Sequence, residues 1–376
     1  MRQSVIYLVL FMLTTLVGCK ERYEIDVKSA EESMLVVEGW LNSGPEPTNI
    51  SLTKTFRLDD TAVLRAETGA NITVEGKDNT IQLLQETAEG SYSNPLNLLV
   101  GKEYRVRIHT TNGKEYLSDY VLVKNSPEID SISWKRDATG VTIYANTHDP
   151  TNDTRYYKWD YVETHELRSN YYSYWIYENE IVRPRNMPDE DVYFCWRTIP
   201  SSNIYIGTSS QLSEDLIYEF PLVHIPDGAE KLSVRYSIIV KQTTLSKTGF
   251  EYLQLMKKNS ESIGTIFDPQ PSELRGNIYC ISNPDEIAIG FMTASAYKEK
   301  RIFIASRDVP RWGFRLFCTD IEVANHRDSI LKYFSNYLPY AENRGPGGGI
   351  VSYQASTSEC VDCRTRGGIT IRPSFW

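Results

Sequence analysis

Residues 104–117, YRVRIHTTNGKEYL, predict the fold of this chain more clearly than any other stretch. Tyr104, Val106 and Ile108 alternate with polar residues, which is the period of a strand with one buried face. Asn112-Gly113 is the preferred pair for a tight type I′ hairpin turn, and Tyr116 then begins a return strand. The stretch therefore predicts an antiparallel hairpin that covers an apolar core.

The flanking sequence continues the same pattern towards the N-terminus. Strand-like runs occur at 35–41, 71–74 and 81–84, and they are rich in β-branched and aromatic residues. Several short strands at this spacing, with no helical periodicity between them, favour an immunoglobulin- or fibronectin-like β-sandwich over residues 34–126. The stretch Asn125-Ser126-Pro127 is expected to be a linker.

The longer second part is also expected to be rich in strands, with one or two helices. The strand patterns lie at 140–146, 155–163, 171–177, 203–207, 232–243, 286–295 and 300–306. Helices are expected around 250–258 and, on a weaker pattern, at 320–338. Glycines at 345–349 break regular structure. The chain is thus expected to be mainly β, with a second domain over 127–340 and a glycine-rich hinge and cysteine-containing tail over 341–376.

The N-terminus has the pattern of a secretory signal. Arg2 precedes an apolar run at 5–17, and several charged residues follow Cys19. At about 1.5 Å per residue this run is too short to span a bilayer of about 30 Å. The stretch Leu16-Val17-Gly18-Cys19 resembles a bacterial lipobox, so residues 1–18 are expected to be a signal peptide. Cys19 would then be acylated as the first mature residue, and residues 19–33 would form a tether.

Charge excludes one class of partner. The formal net charge is −9, and removal of residues 1–18 takes away only the charge of Arg2, so −9 becomes −10. Such an acidic surface repels phosphates, and nucleic acid is therefore not an expected partner. The predicted partner is instead outer-membrane lipid, bound through the acyl chains on Cys19.

The cysteines leave several chemistries open. Those that remain after Cys19 are Cys195, Cys280, Cys318, Cys360 and Cys363, an odd number that implies a free thiol. The CVDC at 360–363 is half of a zinc site at most, because the histidines are scattered, and it lacks the strand-to-helix setting of a redox motif. A disulfide that fixes the tail is the favoured interpretation, with the local Cys360–Cys363 bond preferred to bonds with Cys318 or Cys280. No metal or cofactor is predicted.

A dense aromatic stretch is the candidate binding site. Aromatic residues there would lie on both faces of a strand, so only one face can belong to the core. The other face is either packed across strands or a contact surface, since Tyr and Trp are favoured at interfaces. The candidate binding residues are Tyr171, Tyr172, Tyr174, Trp175 and Tyr177.

Signatures of enzymes are missing from the sequence. It contains no GxSxG, HExxH, P-loop or dinucleotide-binding glycine motif, and no catalytic residue is predicted. Acidic groups at Asp59-Asp60 and at 189–191 could supply a glycosidase pair, but charged loops are the favoured interpretation.

Seven short stretches resemble a family of Bacteroidota outer-membrane lipoproteins, the domain of unknown function 4249. They are VVEGW (36–40), RYS (235–237), FDPQP (267–271), GN (276–277), KRIFI (300–304), CVDCR (360–364) and PSFW (373–376). Together they cover nearly the whole mature chain. The family carries no established activity, so the resemblance implies no catalytic residue.

The resemblance implies an accessory partner of a TonB-dependent, SusC-like outer-membrane transporter. Lys20-Glu21 is similar to the surface-export signal of such lipoproteins, although Arg22 interrupts its acidic run. The expected function is therefore that of a non-enzymatic, lipid-anchored protein of the outer membrane that faces outward. It would bind a ligand, or it would partner a transporter or an assembly machine. A free-standing adhesin or glycan-binding module and a hydrolase with a hidden carboxylate pair are the alternatives.

Overall fold

Strands are the main regular structure in the computed structural model, which describes residues 33–55, 65–261 and 274–376. In the N-terminal part they are β1 (Leu35–Asn42), β2 (Thr48–Lys54), β3 (Arg65–Ala66), β4 (Asn71–Gly76), β5 (Ile81–Ala88), β6 (Ser91–Asn94), β7 (Glu103–His109), β8 (Glu115–Ser118) and β9 (Val121–Leu122). The next are β10 (Ile129–Arg136), β11 (Gly140–His148), β12 (Tyr156–Arg168), β13 (Trp175–Glu178), β14 (Ile181–Pro184), β15 (Phe194–Pro200), β16 (Tyr205–Thr208), β17 (Leu216–Pro226) and β18 (Arg235–Thr244). The last are β19 (Ile278–Cys280), β20 (Ala288–Ile289), β21 (Ala294–Ser295), β22 (Lys298–Ala305), β23 (Ile321–Ala324), β24 (Tyr337–Arg344) and β25 (Ile350–Thr357).

Helices are few among the described residues. The α-helices are α1 (Lys247–Glu261), α2 (Arg327–Tyr333) and α3 (Ser358–Val361). In this part of the chain, no helix is long and apolar enough to cross a membrane. The prediction of a mainly β chain with few helices is confirmed.

The hairpin at 104–117 forms, but its turn differs from the predicted one. Tyr104, Val106 and Ile108 are buried on one face of β7, as their alternation predicts. Thr110 and Lys114 pair across a loop in which Gly113 has a φ of +83°. Type I′ needs a positive φ at both central residues, and Asn112 does not have one. The loop is therefore longer than the expected two-residue turn.

One bent sheet encloses the N-terminal core. Its strand order is β19-β8-β7-β4-β5-β6-β2-β1-β20. The first half of β5 pairs with β4 and its second half with β6, so this strand joins the two layers of a sandwich. Buried side chains from both layers, such as Ile50 and Val106, share one core.

Strands far along the chain complete this sandwich. β20 and β21 pair in parallel with β1, and β19 pairs with β8. Residues 286–295 are therefore not the single strand expected from the sequence, because Gly290 interrupts them with a φ of +149°. There, a Cβ would lie 2.4 Å from the Val37 carbonyl oxygen. The domain boundary expected at residue 126 stays a prediction, but residues 278–295, expected in the second domain, contribute to the first core.

A second sandwich follows. The sheet β10-β11-β17 and the sheet β15-β12-β18-β22 share a core in which Ile143 from the first lies with Trp159 and Ile238 from the second. The helix predicted around 250–258 is confirmed as α1, which follows β18.

A third, smaller core uses the C-terminal region. β23, β25 and β24 form a sheet, and the hairpin β13–β14 packs against it. The helix expected over 320–338 is wrong in extent, because Ile321 and Val323 pair with β25 and leave only α2 helical. The glycines at 345–349 form the hairpin turn between β24 and β25 rather than a hinge.

Candidate functional site

The segment between β12 and β13 is held by backbone hydrogen bonds to the C-terminal region. The amides of Asn170 and Tyr171 donate to the Cys360 carbonyl at 2.8 and 3.1 Å. The Tyr174 amide donates to the Tyr340 carbonyl at 3.2 Å. The Ser173 hydroxyl adds a side-chain hydrogen bond to the Pro339 carbonyl at 2.9 Å. Residues 169–174 are therefore a fixed loop and not the start of the strand expected at 171–177.

Rings from this loop, from residues 193–194 at the start of β15 and from β24 form a group, here called the aromatic surface. Its members are Tyr171, Tyr172, Tyr174, Tyr193, Phe194 and Tyr340. Ring centroids of Tyr172 lie 4.9 Å from Tyr174 and 5.4 Å from Tyr193, and Tyr193 meets Phe194 edge-on at 4.7 Å. Tyr172, Tyr174 and Phe194 are 37%, 58% and 37% exposed. Large aromatic side chains that remain accessible in a fixed setting are typical of contact surfaces.

The five candidate residues divide into two groups. Tyr171, Tyr172 and Tyr174 belong to the aromatic surface, whereas Trp175 and Tyr177 pack on the third core. Trp175 meets Tyr353 edge-on at 5.3 Å, and Tyr177 lies 5.5 Å from Phe334. The aromatic pattern of the sequence did not identify Tyr193, Phe194 and Tyr340. The adjacent Tyr193-Phe194 pair was a visible signal, but the approach of Tyr340 depends on the tertiary fold.

Charged groups border the aromatic surface. The Tyr171 hydroxyl donates to Asp320 at 2.6 Å, and this hydrogen bond, together with burial, raises the pKa of Tyr171 to about 12. The Arg168 guanidinium lies 5.4 Å from the centre of the Phe194 ring, within cation–π range. Tyrosine and arginine are among the residue types that dominate binding energy at protein interfaces.

Two of the three residues of the acidic run at 189–191 are engaged in structure. Arg183 donates to both carboxylate oxygens of Glu190 at 2.8 Å, and this pairing lowers the pKa of Glu190 to about 2. Asp191 accepts a hydrogen bond from the Tyr193 amide at 2.8 Å. A general acid needs a raised pKa, so Glu190 does not fit that role. The other pair, Asp59-Asp60, lies outside the described residues.

Two disulfides hold the tail, with a connectivity that differs from the favoured one. Cys363 bonds to Cys195 and Cys360 bonds to Cys318, with Cα atoms 5.7 and 5.9 Å apart. The preferred local Cys360–Cys363 bond is therefore wrong, although both residues do form disulfides. α3 ends at Val361, so the chain turns between the two cysteines and carries them to different partners. Cys280 is the free thiol among the described cysteines, and it is buried.

Other site chemistry is limited in the described ranges. No cluster of three His, Cys, Asp or Glu side chains there is arranged to hold a metal ion. Cys19, the expected signal peptide and the rest of the tether up to residue 32 lie outside these ranges, as does the FDPQP stretch at 267–271.

Several of the seven short stretches have structural roles. The buried Asn277 side chain brackets Met292, accepting from its amide at 2.7 Å and donating to its carbonyl at 3.0 Å. In the tail, the Asp362 carboxylate accepts hydrogen bonds from the Arg364 guanidinium, and the shortest of them is 2.7 Å. The Trp376 ring meets Phe303 edge-on at 5.7 Å. The Asn277 and Trp376 contacts thus join separate strands, whereas the Asp362–Arg364 contact is local to the tail.

Comparison with solved structures gives distant likenesses. One is a segment of two fibronectin type III domains from chicken tenascin, with 14% identity, 56% of this chain and 91% of that chain covered, and a TM-score of 0.17. Another is a protein of Corynebacterium diphtheriae described as a candidate membrane-anchored protein. Its identity is 10%, the match covers 70% of this chain and 62% of that chain, and the TM-score is 0.18. TM-scores this low give no information about the fold. The fold assignment therefore rests on the strand pairing and the shared cores.

Comparison of sequences is more informative. No curated protein sequence matches the chain significantly. Residues 20–301, three quarters of the chain, match the family described as Domain of unknown function (DUF4249). The protein is therefore a member of the DUF4249 family.

Proposed function

We propose that this protein is a lipid-anchored, non-enzymatic binding protein of the outer membrane that partners an outer-membrane β-barrel transporter of SusC-like type. The aromatic surface is its contact site for that partner. The observation that carries the proposal is the exposure of Tyr172 and Tyr174 on a loop held in place by the chain itself, beside the exposed Phe194 at the start of β15.

The fixed loop supports a role in binding because little entropy is lost when a preorganised surface meets its partner. Tyrosine adds to this effect, since it offers a large contact area with few rotatable bonds. The hydroxyls also let each ring remain solvated until the partner arrives.

The anchor is supported by the sequence alone. The lipobox-like stretch at 16–19 would place acyl chains on Cys19, and more than one acyl chain is needed for stable residence in a membrane. Replacing Cys19 with Ala should therefore release the protein from membranes. Recovery of Cys19→Ala in the membrane fraction would contradict the anchor.

Co-purification tests the partner. After gentle detergent extraction of outer membranes, a barrel protein should co-purify with the wild-type chain and be lost with the double variant Tyr172→Ser/Tyr174→Ser. Truncating a central interface tyrosine can cost about 2 kcal/mol of binding. The matched control is Tyr218→Ser, another exposed tyrosine, on β17, which should retain the barrel.

The other outcomes separate the alternatives. Retention of the barrel by the double variant would show that the aromatic surface is not the contact. Absence of any barrel, with glycan binding that the double variant loses, would favour the adhesin or glycan-binding alternative. The engagement of Glu190 with Arg183 offers no support for a hydrolase built on the 189–191 run.

A further inference from the structure

A stretch of extended chain between β22 and β23 leaves its backbone unpaired. It comprises residues 313–318, GFRLFC, here called the open segment, and it contains no turn or bend. No amide or carbonyl of these residues makes a backbone–backbone hydrogen bond within the described ranges. Buried backbone groups are nearly always paired, so an unpaired row of them indicates contact with solvent. The open segment therefore offers the groups that a further strand needs for pairing.

Side chains of the open segment alternate as they do in a strand. Phe314, Leu316 and Cys318 are half-buried, whereas Arg315 and Phe317 are exposed, Phe317 to 94%. Residues two positions apart share a face of a strand, so Arg315 and Phe317 lie together on the outer face. Arg315 makes no ion pair with a described carboxylate. The outer face thus combines an unmatched positive charge with an exposed aromatic ring.

Other parts of the fold fix both ends of the open segment. Directly before it, Trp312 packs on the core of the second sandwich, and its indole donates to the Ala229 carbonyl at 2.6 Å. At the other end, Cys318 forms its disulfide with Cys360. A segment that is already extended and fixed loses little entropy when a second strand pairs with it.

These features select one kind of occupant. A row of unpaired amides and carbonyls is matched by the backbone of an extended chain, as in β-strand addition. On the outer face, that chain would place one side chain opposite Arg315 and another, two positions away, opposite Phe317. An acidic side chain matches the first and an apolar side chain matches the second. A second copy of the open segment would bring two arginines together, so charge disfavours self-pairing.

We propose that the open segment binds an extended segment of another protein, which carries an acidic and an apolar side chain two positions apart. The two chains pair through their backbones, the acidic side chain meets Arg315, and the apolar side chain packs on Phe317. This docking edge is separate from the proposed transporter contact, and its failure would leave that proposal untouched.

Titration of the full chain with the peptide acetyl-Thr-Ile-Thr-Glu-Thr-Ile-Thr-amide tests the proposal. In either chain direction, the glutamate of this peptide has an isoleucine two positions away on the same face. The amide resonances of residues 314–318 should shift saturably in a ¹⁵N-labelled protein. Every second one of these amides should also exchange more slowly with solvent, because a strand faces its neighbour with alternate residues. The same peptide with methylated amide nitrogens keeps its side chains but cannot donate, and it should not bind.

Exchange of charges locates the binding. A peptide with lysine in place of the glutamate should bind about fivefold more weakly or worse, and Arg315→Glu should reverse this preference. Phe317→Ser should weaken binding of the glutamate peptide about threefold. It should retain the melting temperature, since the side chain is exposed. The double variant Tyr172→Ser/Tyr174→Ser, on the aromatic surface, is the control and should bind the peptide as the wild-type protein does.

Four results would overturn the proposal. The absence of a saturable shift would mean that the open segment does not accept a strand. Equal binding of the methylated peptide would mean that side chains, and not backbone pairing, hold the peptide. An unchanged preference in Arg315→Glu would place the peptide elsewhere on the protein. Slow exchange of the same amides that rises with protein concentration, without any peptide, would identify a second copy of this chain as the occupant.

Discussion

The ring of Tyr171 stacks on the ring of Tyr340, with centroids 4.2 Å apart and planes 8° from parallel. This contact joins the loop after β12 to β24, in the C-terminal hairpin. Two amides of the same loop donate hydrogen bonds to the Cys360 carbonyl, and Cys360 forms a disulfide with Cys318. The aromatic surface therefore depends on both the stack and the disulfide for its shape.

Removal of that disulfide should loosen the loop. The double variant Cys318→Ser/Cys360→Ser is expected to lose about 2–5 kcal/mol of unfolding free energy, because the bond closes a long loop in the unfolded chain. Hydrogen exchange at the amides of Asn170 and Tyr171 should accelerate. Cys280→Ser, which removes a thiol that is in no disulfide, should leave this exchange unchanged. Protected amides in the double variant would contradict the account, as would a Cys360–Cys363 peptide in unreduced digests.

Gly276 should tolerate no side chain. A Cβ there would lie 1.6 Å from the carbonyl oxygen of Gly290, which is backbone and cannot move aside. Gly276→Ala should therefore cost about 1–3 kcal/mol of unfolding free energy, as overpacking does. Gly347→Ala is the control, because nothing lies within 4 Å of its Cβ position. Equal denaturation midpoints for the two variants would contradict the close approach.

The last residue should contribute to stability. The Trp376 ring lies edge-on to Phe303, and the Arg235 guanidinium lies 5.1 Å from its centre. Trp376→Ala is expected to lower the free energy of unfolding by about 1–2 kcal/mol. Phe317→Ala, at a side chain that is 94% exposed, should change it by less than about 0.5 kcal/mol. A Trp376→Ala variant with wild-type stability would mean that the tail does not pack on β18 and β22.

His165 should make the protein less stable in mild acid. Its burial, with Lys231, Arg197 and Arg366 nearby, lowers its pKa to about 4. In the unfolded chain the pKa is about 6.5, so between these values the unfolded state binds a proton that the folded state does not. The contribution of this residue is complete above about pH 6.5, is lost as the pH falls towards 4, and amounts to about 3 kcal/mol at most.

Urea unfolding at several pH values measures this effect. His165→Gln should flatten the decline in stability between about pH 6.5 and 4. His148 is exposed, and its hydrogen bond with Asp130 raises its pKa, so His148→Gln should leave the decline in place. If the stability of His165→Gln falls as steeply as that of the wild-type protein, titration of other groups causes the decline.

Local patterns predicted the local structure well. The alternation at Tyr104, Val106 and Ile108 identified a strand with one buried face, and the apolar spacing around Leu253 identified α1. These signals work because side-chain periodicity directly reflects backbone geometry.

Long-range contacts explain what the sequence did not predict. Residues 278–295 join a sheet whose other strands begin at residue 35, and no periodicity encodes that pairing. Cys363 forms its disulfide with Cys195, 168 residues away, and not with its near neighbour Cys360. For the candidate site, the loop tyrosines were predicted, while Tyr340 was not, since only the folded hairpin brings it to Tyr171.

Site-specific photocrosslinking in outer membranes tests the central claim most directly. A benzoyl-phenylalanine placed at position 174, on the aromatic surface, should form an adduct with a β-barrel membrane protein. The same group at position 218, also exposed but outside that surface, should not. No barrel adduct at position 174, or equal adducts at both positions, would contradict the proposal that the aromatic surface is the transporter contact.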